Sequence, residues 1–185
     1  MTRTAVSVVL LSDTHGYLDP RIAQLIDDRD IVVHAGDVGC GEVLRALEQR
    51  AATVVAVAGN NDTAGKWPRD ESDLVATLPR ETALQLCGRE LVVIHGHQHG
   101  SASSRHDWLR RRYPQAKAIV YGHSHRLVID RQREPWVLNP GAAGRARTYG
   151  GPSCLLLRAH AHAWQIECHR FSPLDSRATR SSGNR

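Results

Sequence analysis

The chain has 185 residues and a formal net charge of +5. Hydrophobic residues make up 41% and charged residues 23%, which is ordinary globular usage and excludes a chain that is disordered throughout. No stretch approaches the roughly 18 to 20 apolar residues of a membrane helix, and the apolar N-terminal run lacks a cleavage site, so we expect a soluble cytoplasmic protein with no membrane partner.

In the first half of the chain, short apolar runs rich in β-branched residues alternate with helical patterns. This alternation predicts βα units around a parallel or mixed sheet. The strands are near-continuous apolar runs, which is typical of strands covered on both faces. The predicted order is strand, helix, strand, helix, strand, at Ala5–Leu11, Pro20–Asp28, Ile31–His34, Glu42–Gln49 and Thr53–Ala58.

The second half is richer in strands. Thr63–Pro79 is polar and contains two prolines, which predicts a surface loop. An arginine-rich helix is predicted over Ser103–Tyr113. The predicted strands are Ala83–Leu86 and Leu91–Ile94, paired as a hairpin around Gly88, then Ala118–Tyr121, Leu127–Asp130, Trp136–Leu138, Ser153–Arg158 and Ala163–Cys168. We expect an α/β domain over residues 1–171 with two stacked sheets and helices outside them, although periodicity alone does not fix the stacking. The basic tail at 172–185 has few apolar residues and is expected to be disordered.

Metal-binding side chain types occur in five short blocks, each directly after an apolar strand. Because ligands of open α/β sheets bind beyond the carboxyl ends of the strands, we expect the blocks to meet in one crevice. Carboxylate, amide and imidazole donors suit divalent ions such as Mn, Fe or Zn. The blocks are Asp13-Thr14-His15, Gly36-Asp37, Gly59-Asn60-Asn61-Asp62, His95-Gly96-His97 and Gly122-His123-Ser124-His125.

A pair of ions roughly 3.5 to 4 Å apart would polarise a phosphate ester and make hydroxide from bound water near neutral pH. A ligand shared by both ions should be an anionic carboxylate, because it must offer one oxygen to each ion and offset their repulsion. We predict Asp37 as this bridge.

The five blocks in this order, with the segment Val137–Gly141, resemble the calcineurin-like metallophosphoesterase superfamily, and its small single-domain bacterial and archaeal phosphodiesterases in particular. The likeness spans about residues 5–168. It implies a four-layer α/β/β/α sandwich of two mixed sheets and attack by a metal-bridging hydroxide. It also implies one ion held by Asp13, His15, Asp37 and His125, and another held by Asp37, Asn60, His95 and His123.

The sequence departs from the family pattern at one position. Many members have His directly after the ligand Asn, where it can protonate the leaving group, whereas this chain has Asn61 followed by Asp62. Asn cannot act as an acid, so His97, a metal-bound water, or a leaving group that needs no acid are all open. The candidate catalytic residues are Asn60, Asp62 and His97.

The expected activity is that of a binuclear metal-dependent phosphoesterase, with phosphodiesters preferred because of the resemblance. The expected cofactors are two divalent ions, manganese first, with Fe, Zn or Ni as alternatives. The expected partner is a small phosphate ester; aromatic residues make up only 5%, which does not favour nucleic acid. A nuclease or nucleotide-processing enzyme and a binding or scaffold protein on the same fold are the alternatives, and both a monomer and a homo-oligomer are open.

Other polar residues receive structural interpretations. His34 is expected to pack beside the site, and Asn139-Pro140-Gly141 to form a turn that supports the metal-binding turns. His160 and His162 are expected on a half-exposed strand face, and the basic residues Arg105, Arg110, Arg111 and Arg112 on a solvated helix face. His99, His106 and His169 are also taken as structural, and the cysteines Cys40, Cys87, Cys154 and Cys168 as reduced.

Overall fold

The computed structural model of the chain describes residues 5–27, 29–98 and 104–173. Within these residues, ten strands form two sheets of five strands each. In chain order the elements are β1 (Ala5–Leu11), α1 (Pro20–Ile26), β2 (Ile31–His34), α2 (Gly41–Glu48), β3 (Thr53–Ala56), a 3-10 helix (Arg69–Glu71), α3 (Ser72–Ala76), β4 (Glu81–Leu86), β5 (Arg89–Ile94), α4 (Arg105–Arg112), β6 (Ala118–Tyr121), β7 (Leu127–Asp130), β8 (Trp136–Pro140), β9 (Ser153–His160) and β10 (Trp164–Arg170).

The first sheet has the strand order β10-β9-β1-β2-β3. Strands β1, β2 and β3 are parallel, with Leu11 opposite His34 and His34 opposite Ala56. Strand β9 pairs antiparallel with β1, and β10 pairs antiparallel with β9 at the sheet edge. The three parallel strands therefore end together at one edge of this sheet.

The second sheet has the order β4-β5-β6-β8-β7. Strands β5, β6 and β8 are parallel, and the antiparallel strands β4 and β7 form the two edges. Ile94 at the end of β5 lies opposite Tyr121 at the end of β6. Both sheets are mixed, as expected.

Successive side chains of each strand point to opposite faces of the sheet, and this alternation produces the buried layers of the fold. Val8 and Leu10 of β1 belong to a buried cluster that also contains Val93 and Val120 of the second sheet, so this cluster lies between the sheets. The intervening residues of β1 pack on the other face with Ile22 of α1 and residues of α2 and α3. Leu109 of α4 packs with β5, β6 and β8 on the far side of the second sheet. The α/β/β/α sandwich is confirmed.

The segment predicted as a loop at Thr63–Pro79 is not entirely irregular, because it contains the 3-10 helix and α3. The Glu71 carboxylate accepts a hydrogen bond from the Gly41 main-chain N–H at 2.7 Å and from the Arg45 guanidinium at 2.8 Å. Val75 is buried against the first sheet. The prediction was wrong here because these partners lie about thirty residues away in the chain.

Helix α4 does not present all its arginines to solvent. Arg105 and Arg110 are buried, whereas Arg111 and Arg112 are exposed. Arg110 donates to the Pro135 carbonyl oxygen at 2.9 Å and pairs with Asp130 at 2.8 Å. The expected solvated face is therefore wrong for Arg105 and Arg110, and a buried guanidinium of this kind is satisfied by an acceptor from a neighbouring strand.

Several sequence predictions fall on residues outside the described ranges. These are His99, the predicted helix ends at Asp28 and Ser103, and residues 174–185 of the predicted tail. The division into 1–171 and 172–185 thus stays a prediction. None of the helices in the described ranges has the length and apolar character that a bilayer span requires.

Candidate metal centre

The five blocks meet where parallel strands of the two sheets end. Backbone hydrogen bonds join them: Asp13 N–H donates to the Gly36 carbonyl at 3.0 Å, and His15 N–H donates to the Asp37 carbonyl at 3.0 Å. Gly122 N–H donates to the His95 carbonyl at 3.1 Å, which connects the turns after β5 and β6. The expected convergence is present.

Two glycines permit the close approach of these turns. A Cβ on Gly59 would lie 2.1 Å from Asp37 Oδ1, and a Cβ on Gly36 would lie 2.6 Å from His95 Nδ1. Gly36 also has φ +89°, a conformation that favours glycine. Larger residues here would push the Asp37 and His95 side chains away.

The backbone is left-handed at most of the predicted ligands. Seven non-glycine residues of the described ranges have positive φ. Such conformations are uncommon, cost free energy and cluster at functional sites. Five of the seven are Asp13, His15, Asp37, His123 and His125, and the other two are Cys87 and Arg147.

One group of donor atoms lies around Asp13. Ligand atoms of Asp13, His15 and His125 all lie within 4.8 Å of one another. His15 Nε2 is 3.1 Å from His125 Nε2, and His125 Nε2 is 3.3 Å from Asp13 Oδ1. The two imidazole rings stack with centroids 5.0 Å apart.

A second group lies around His95. Ligand atoms of Asp13, Asp37 and His95 also lie within 4.8 Å of one another. Asn60 Oδ1 is 3.2 Å from His95 Nε2 and 3.0 Å from His123 Nδ1. All seven predicted ligand residues therefore belong to one constellation.

Asp37, a member of the second group, also lies near His15 of the first. Its Oδ2 is 3.8 Å from His15 Nε2 and 3.5 Å from His95 Nε2. Burial alone would raise the pKa of Asp37, but hydrogen bonding to His95 and Asn61 and the charge of His95 hold the pKa well below its ordinary value. This carboxylate is poised as an anion.

Asn61, the departure from the family pattern, braces that carboxylate. Its main-chain N–H donates to Asp37 Oδ1 at 2.8 Å, and its side-chain Nδ2 donates to Asp37 Oδ2 at 2.6 Å. Lys66 Nζ donates to Asn61 Oδ1 at 2.5 Å, which orients the amide so that its nitrogen faces Asp37. The sequence analysis missed this role. The feature that could have indicated it is the side-chain amide of Asn61, a hydrogen-bond donor directly after the predicted ligand Asn60.

Asp13 is almost fully enclosed. Ser12 Oγ donates to Asp13 Oδ2 at 2.8 Å, and the His123 main-chain N–H donates to Oδ1 at 3.2 Å. Burial is the main cause that raises the pKa of Asp13 to about 7. A cation bound at this carboxylate would therefore compete with a proton near neutral pH.

The Asp62 carboxylate ties two turns together. It accepts main-chain hydrogen bonds from Val38 at 3.1 Å, Gly39 at 3.0 Å and Gly59 at 2.8 Å. It also accepts from the Trp67 indole N–H at 2.9 Å. These four bonds give Asp62 a structural role that the sequence did not reveal, and a direct part in catalysis stays a prediction.

His97 borders an open cavity beside the metal-binding turns. Its ring centroid is 5.5 Å from that of His95 and 6.3 Å from that of His123. The cavity has a volume of about 260 Å³, and Trp108 and Arg112 also line it. His97 is thus close to the proposed ligands without being part of either ligand group.

Two of the residues expected to support the site do so. His34 is fully buried, and its Nε2 is 2.8 Å from the Thr14 hydroxyl within the first block. Asn139 Nδ2 donates to the Gly122 carbonyl at 2.8 Å and to Ser124 Oγ at 3.0 Å. The expectation of a turn was only partly right, because Asn139 and Pro140 end strand β8 and Gly141 follows it.

The remaining histidines lie elsewhere or have other partners. His106 Nδ1 is 2.8 Å from Asp130 Oδ2, and His169 Nε2 is 2.9 Å from Glu167 Oε1. His160 ends β9 and His162 lies in the turn before β10, so the two do not share one strand face as expected. No disulfide joins the four cysteines, all of which lie in described ranges.

The donor set fits divalent cations. His95 Nδ1 lies 2.8 Å from the Ala35 carbonyl oxygen and donates to it. Nε2 faces Asn60 Oδ1 and Asp37 Oδ2, which are both acceptors. Burial lowers the pKa of His95, but the hydrogen bond to Asp37 and the charges of Asp13 and Asp37 outweigh it and raise the pKa, so this surrounding favours a positive charge at Nε2. A metal ion can take the place of that proton, and the hydrogen bond to Ala35 is the second contact usual for a metal-binding histidine.

Comparison with known proteins identifies the family of this chain. A family model described as "Calcineurin-like phosphoesterase superfamily domain" matches residues 6–162. A probable metallophosphoesterase of Mycoplasma pneumoniae is 33% identical over 144 residues, covering 73% of this chain and 77% of that protein. A phosphodiesterase of Methanocaldococcus jannaschii is 26% identical over 147 residues, covering 74% and 83%.

Solved structures share the fold at lower identity. An archaeal phosphodiesterase has a TM-score of 0.67 and 18% identity, with 89% of this chain and 100% of that chain covered. Vacuolar Protein Sorting 29 of Cryptosporidium parvum has a TM-score of 0.71 and 23% identity, with 91% and 99% covered. A Vps29 of Entamoeba histolytica complexed with zinc has a TM-score of 0.70 and 17% identity, with 90% and 98% covered. The sequence match over residues 6–162 establishes the chain as a member of the calcineurin-like phosphoesterase superfamily.

Proposed function

We propose that the chain is a phosphodiesterase that binds two divalent metal ions, manganese first among them. The observation that carries this proposal is the position of Asp37 Oδ2, within 3.8 Å of His15 Nε2 and 3.5 Å of His95 Nε2. One carboxylate oxygen thereby lies near a histidine of each donor group. Asp13, His15 and His125 with Asp37 would hold one ion, and Asn60, His95 and His123 with Asp37 the other.

Bound ions would supply Lewis-acid chemistry: they would polarise the phosphate ester and lower the pKa of water so that it loses a proton to solvent near neutral pH and becomes a nucleophile. The side chains of this chain fix where that chemistry happens. Asn61 fixes the Asp37 carboxylate with two hydrogen bonds, and the Ala35 carbonyl fixes the tautomer of His95. Preorganised donors of this kind lose little entropy when substrate binds.

His97 is the side chain that we propose to contact the leaving group. It lies beside His95 at the wall of the open cavity, whereas Asn61 is bonded to Asp37 and cannot donate a catalytic proton. Replacement by Gln should slow hydrolysis of an alkyl phosphodiester about tenfold to a hundredfold more than that of a p-nitrophenyl phosphodiester, since only the alkyl leaving group requires protonation. Equal effects on both substrates would remove His97 from this role.

The main experiment measures hydrolysis of bis-p-nitrophenyl phosphate and of p-nitrophenyl phosphate by protein loaded with manganese and by chelated protein. We expect metal-dependent activity with the diester preferred. Asp37→Ala should abolish activity and lower the metal content, because both ions lose a ligand. His162→Ala, in the exposed turn before β10, is the matched control and should leave both measurements unchanged.

A binding role without catalysis is the other outcome of this experiment. It would appear as stoichiometric metal binding that depends on Asp37 without hydrolysis of any phosphate ester offered. The Vps29 likeness, at 23% identity or less in the structures compared, is one of fold. The complete donor set, with each of the seven positions filled, supports the enzyme.

A further inference from the structure

Arg147 extends the candidate site on the side of His15. It lies in the loop between β8 and β9, and its Nη2 atom is 3.1 Å from His15 Nε2. His15 Nε2 is in turn 3.1 Å from His125 Nε2 and 3.8 Å from Asp37 Oδ2. A solvent-exposed arginine therefore reaches the edge of the first donor group.

The backbone of Arg147 resembles that of the predicted ligands. Its φ is +54°, close to the values of +54° at Asp13 and +56° at Asp37. A left-handed non-glycine residue persists where its surroundings hold it in place. Apart from Cys87, every described non-glycine residue with positive φ is either a predicted ligand or Arg147. The backbone conformation is therefore a second observation, separate from the side-chain contact, that groups Arg147 with the predicted ligands.

The charge of Arg147 conflicts with its location unless an anion binds there. A guanidinium is always protonated. Its Nη2 atom lies 3.1 Å from His15 Nε2, so its positive charge would repel divalent ions bound at the predicted ligands. An anion between the ions and the guanidinium changes this repulsion into attraction on both sides.

The geometry points to Arg147 as a binding residue for the phosphoryl oxygens of the substrate, on the outer side of the His15–His125 pair. This inference rests on the proposed function and names its anion. The planar guanidinium presents a fork of donors that matches two oxygens of one phosphate, which an ammonium cannot do. Phosphate bound there would neutralise a cation cluster made by the ions and Arg147 together.

Arg145 provides a matched control in the same loop. Its guanidinium carbon lies 3.6 Å from the centroid of the Tyr17 ring, so its charge is engaged in a cation–π contact. Replacing either arginine by Gln removes one positive charge from the same loop. At position 147, Gln is a non-glycine residue like Arg, so the substitution does not relieve the strain of the positive φ.

The test uses calorimetry on the full chain and needs no turnover. Manganese is titrated into metal-free protein, and inorganic phosphate is then titrated into the manganese-loaded protein. For Arg147→Gln we expect manganese binding equal to or tighter than that of the parent, and phosphate binding weakened about tenfold to a hundredfold, the effect of losing a charge-assisted hydrogen-bond pair. The phosphate affinity of Arg147→Lys should fall between those of the parent and Arg147→Gln. Arg145→Gln should match the parent in both titrations.

Two results would overturn the inference. Phosphate affinity within twofold of the parent in Arg147→Gln would show that the guanidinium does not contact the anion. Loss of manganese in that variant would show that Arg147 supports the metal ligands instead. Failure of the proposed function looks different: the parent would hydrolyse no ester while its phosphate binding still depended on Arg147.

Discussion

Asn61 donates two hydrogen bonds to Asp37, one from the main chain at 2.8 Å and one from the side chain at 2.6 Å. Asn61 is therefore a positioning residue for the Asp37 carboxylate, which lies near His15 of one donor group and His95 of the other. Its amide is in turn fixed by Lys66 at 2.5 Å.

Asn61→Ala should weaken manganese binding or lower kcat by about tenfold to a hundredfold, the usual effect of removing a hydrogen bond to a metal ligand. The main-chain bond to Asp37 survives this change, so the loss should be partial. Calorimetry and steady-state kinetics with a phosphodiester measure both quantities. Lys66→Ala removes only the hydrogen bond from Lys66 to Asn61 and should reduce manganese affinity or kcat by a smaller factor. Identical losses in the two variants would argue against a positioning role of the Asn61 amide.

Gly59→Ala should prevent the Asp37 carboxylate from occupying its position, because the added Cβ would lie 2.1 Å from Oδ1. We expect manganese binding to fall sharply while the circular dichroism spectrum stays that of a folded α/β protein. Gly65→Ala is the control, since no atom lies within 4 Å of a Cβ at that position. Unchanged metal affinity in Gly59→Ala would mean that the turns after β2 and β3 are further apart than described.

Asp62→Asn should act mainly on stability. The native carboxylate accepts four N–H donors, and an amide in its place directs its own N–H groups at some of them. We expect the free energy of unfolding to fall by about 3 kcal/mol, measured by urea denaturation. Asp70→Asn, at an exposed position nearby, should change it little. Loss of activity at unchanged stability would instead support the catalytic role predicted from the sequence.

His34 should make the metal-free fold sensitive to acid. Burial lowers the pKa of this histidine to about 4, from an ordinary value of 6.5. Between these values the unfolded chain binds a proton that the folded chain does not, so stability falls as the pH is lowered from 6.5 to 4. The full effect is about 3 kcal/mol, from the free energy equivalent of the pKa difference.

The measurement for His34 compares urea unfolding of the parent and of His34→Gln between pH 7.5 and 4, with chelator present. The other titrating groups are common to both proteins, so the difference between the two pH profiles isolates His34. The parent should lose stability on acidification more steeply than the variant. Parallel profiles would show that His34 is not buried as a neutral ring.

The site was largely predictable because its residues follow strands. Asp13, Asp37 and Asn60 come after β1, β2 and β3, and parallel strands end at a common edge. His95 and His123 follow β5 and β6 in the same way. Local pattern thus predicts convergence, while the face-to-face packing of the two sheets depends on which strand faces are buried together and was supplied only by the family resemblance.

The missed features all depend on contacts between distant residues. The burial of Arg110 requires Asp130 on another strand, and α3 is positioned by Glu71, which binds Gly41 of α2. Arg147 gave no signal in the sequence, because an arginine in a loop is ordinarily a solvated side chain. Partners of this kind become visible only when the chain is folded.

The left-handed backbone at the donor residues has a consequence for the history of such proteins. Asn or Gly at the position of His15 or His125 would relieve backbone strain and at the same moment delete an imidazole. Relief of the strained backbone would offset part of the stability that is lost with the imidazole contacts, so we expect such inactivating changes to cost the fold little. A protein that no longer needed hydrolysis could therefore lose its metal ligands, keep a stable fold and use its surface to bind other molecules.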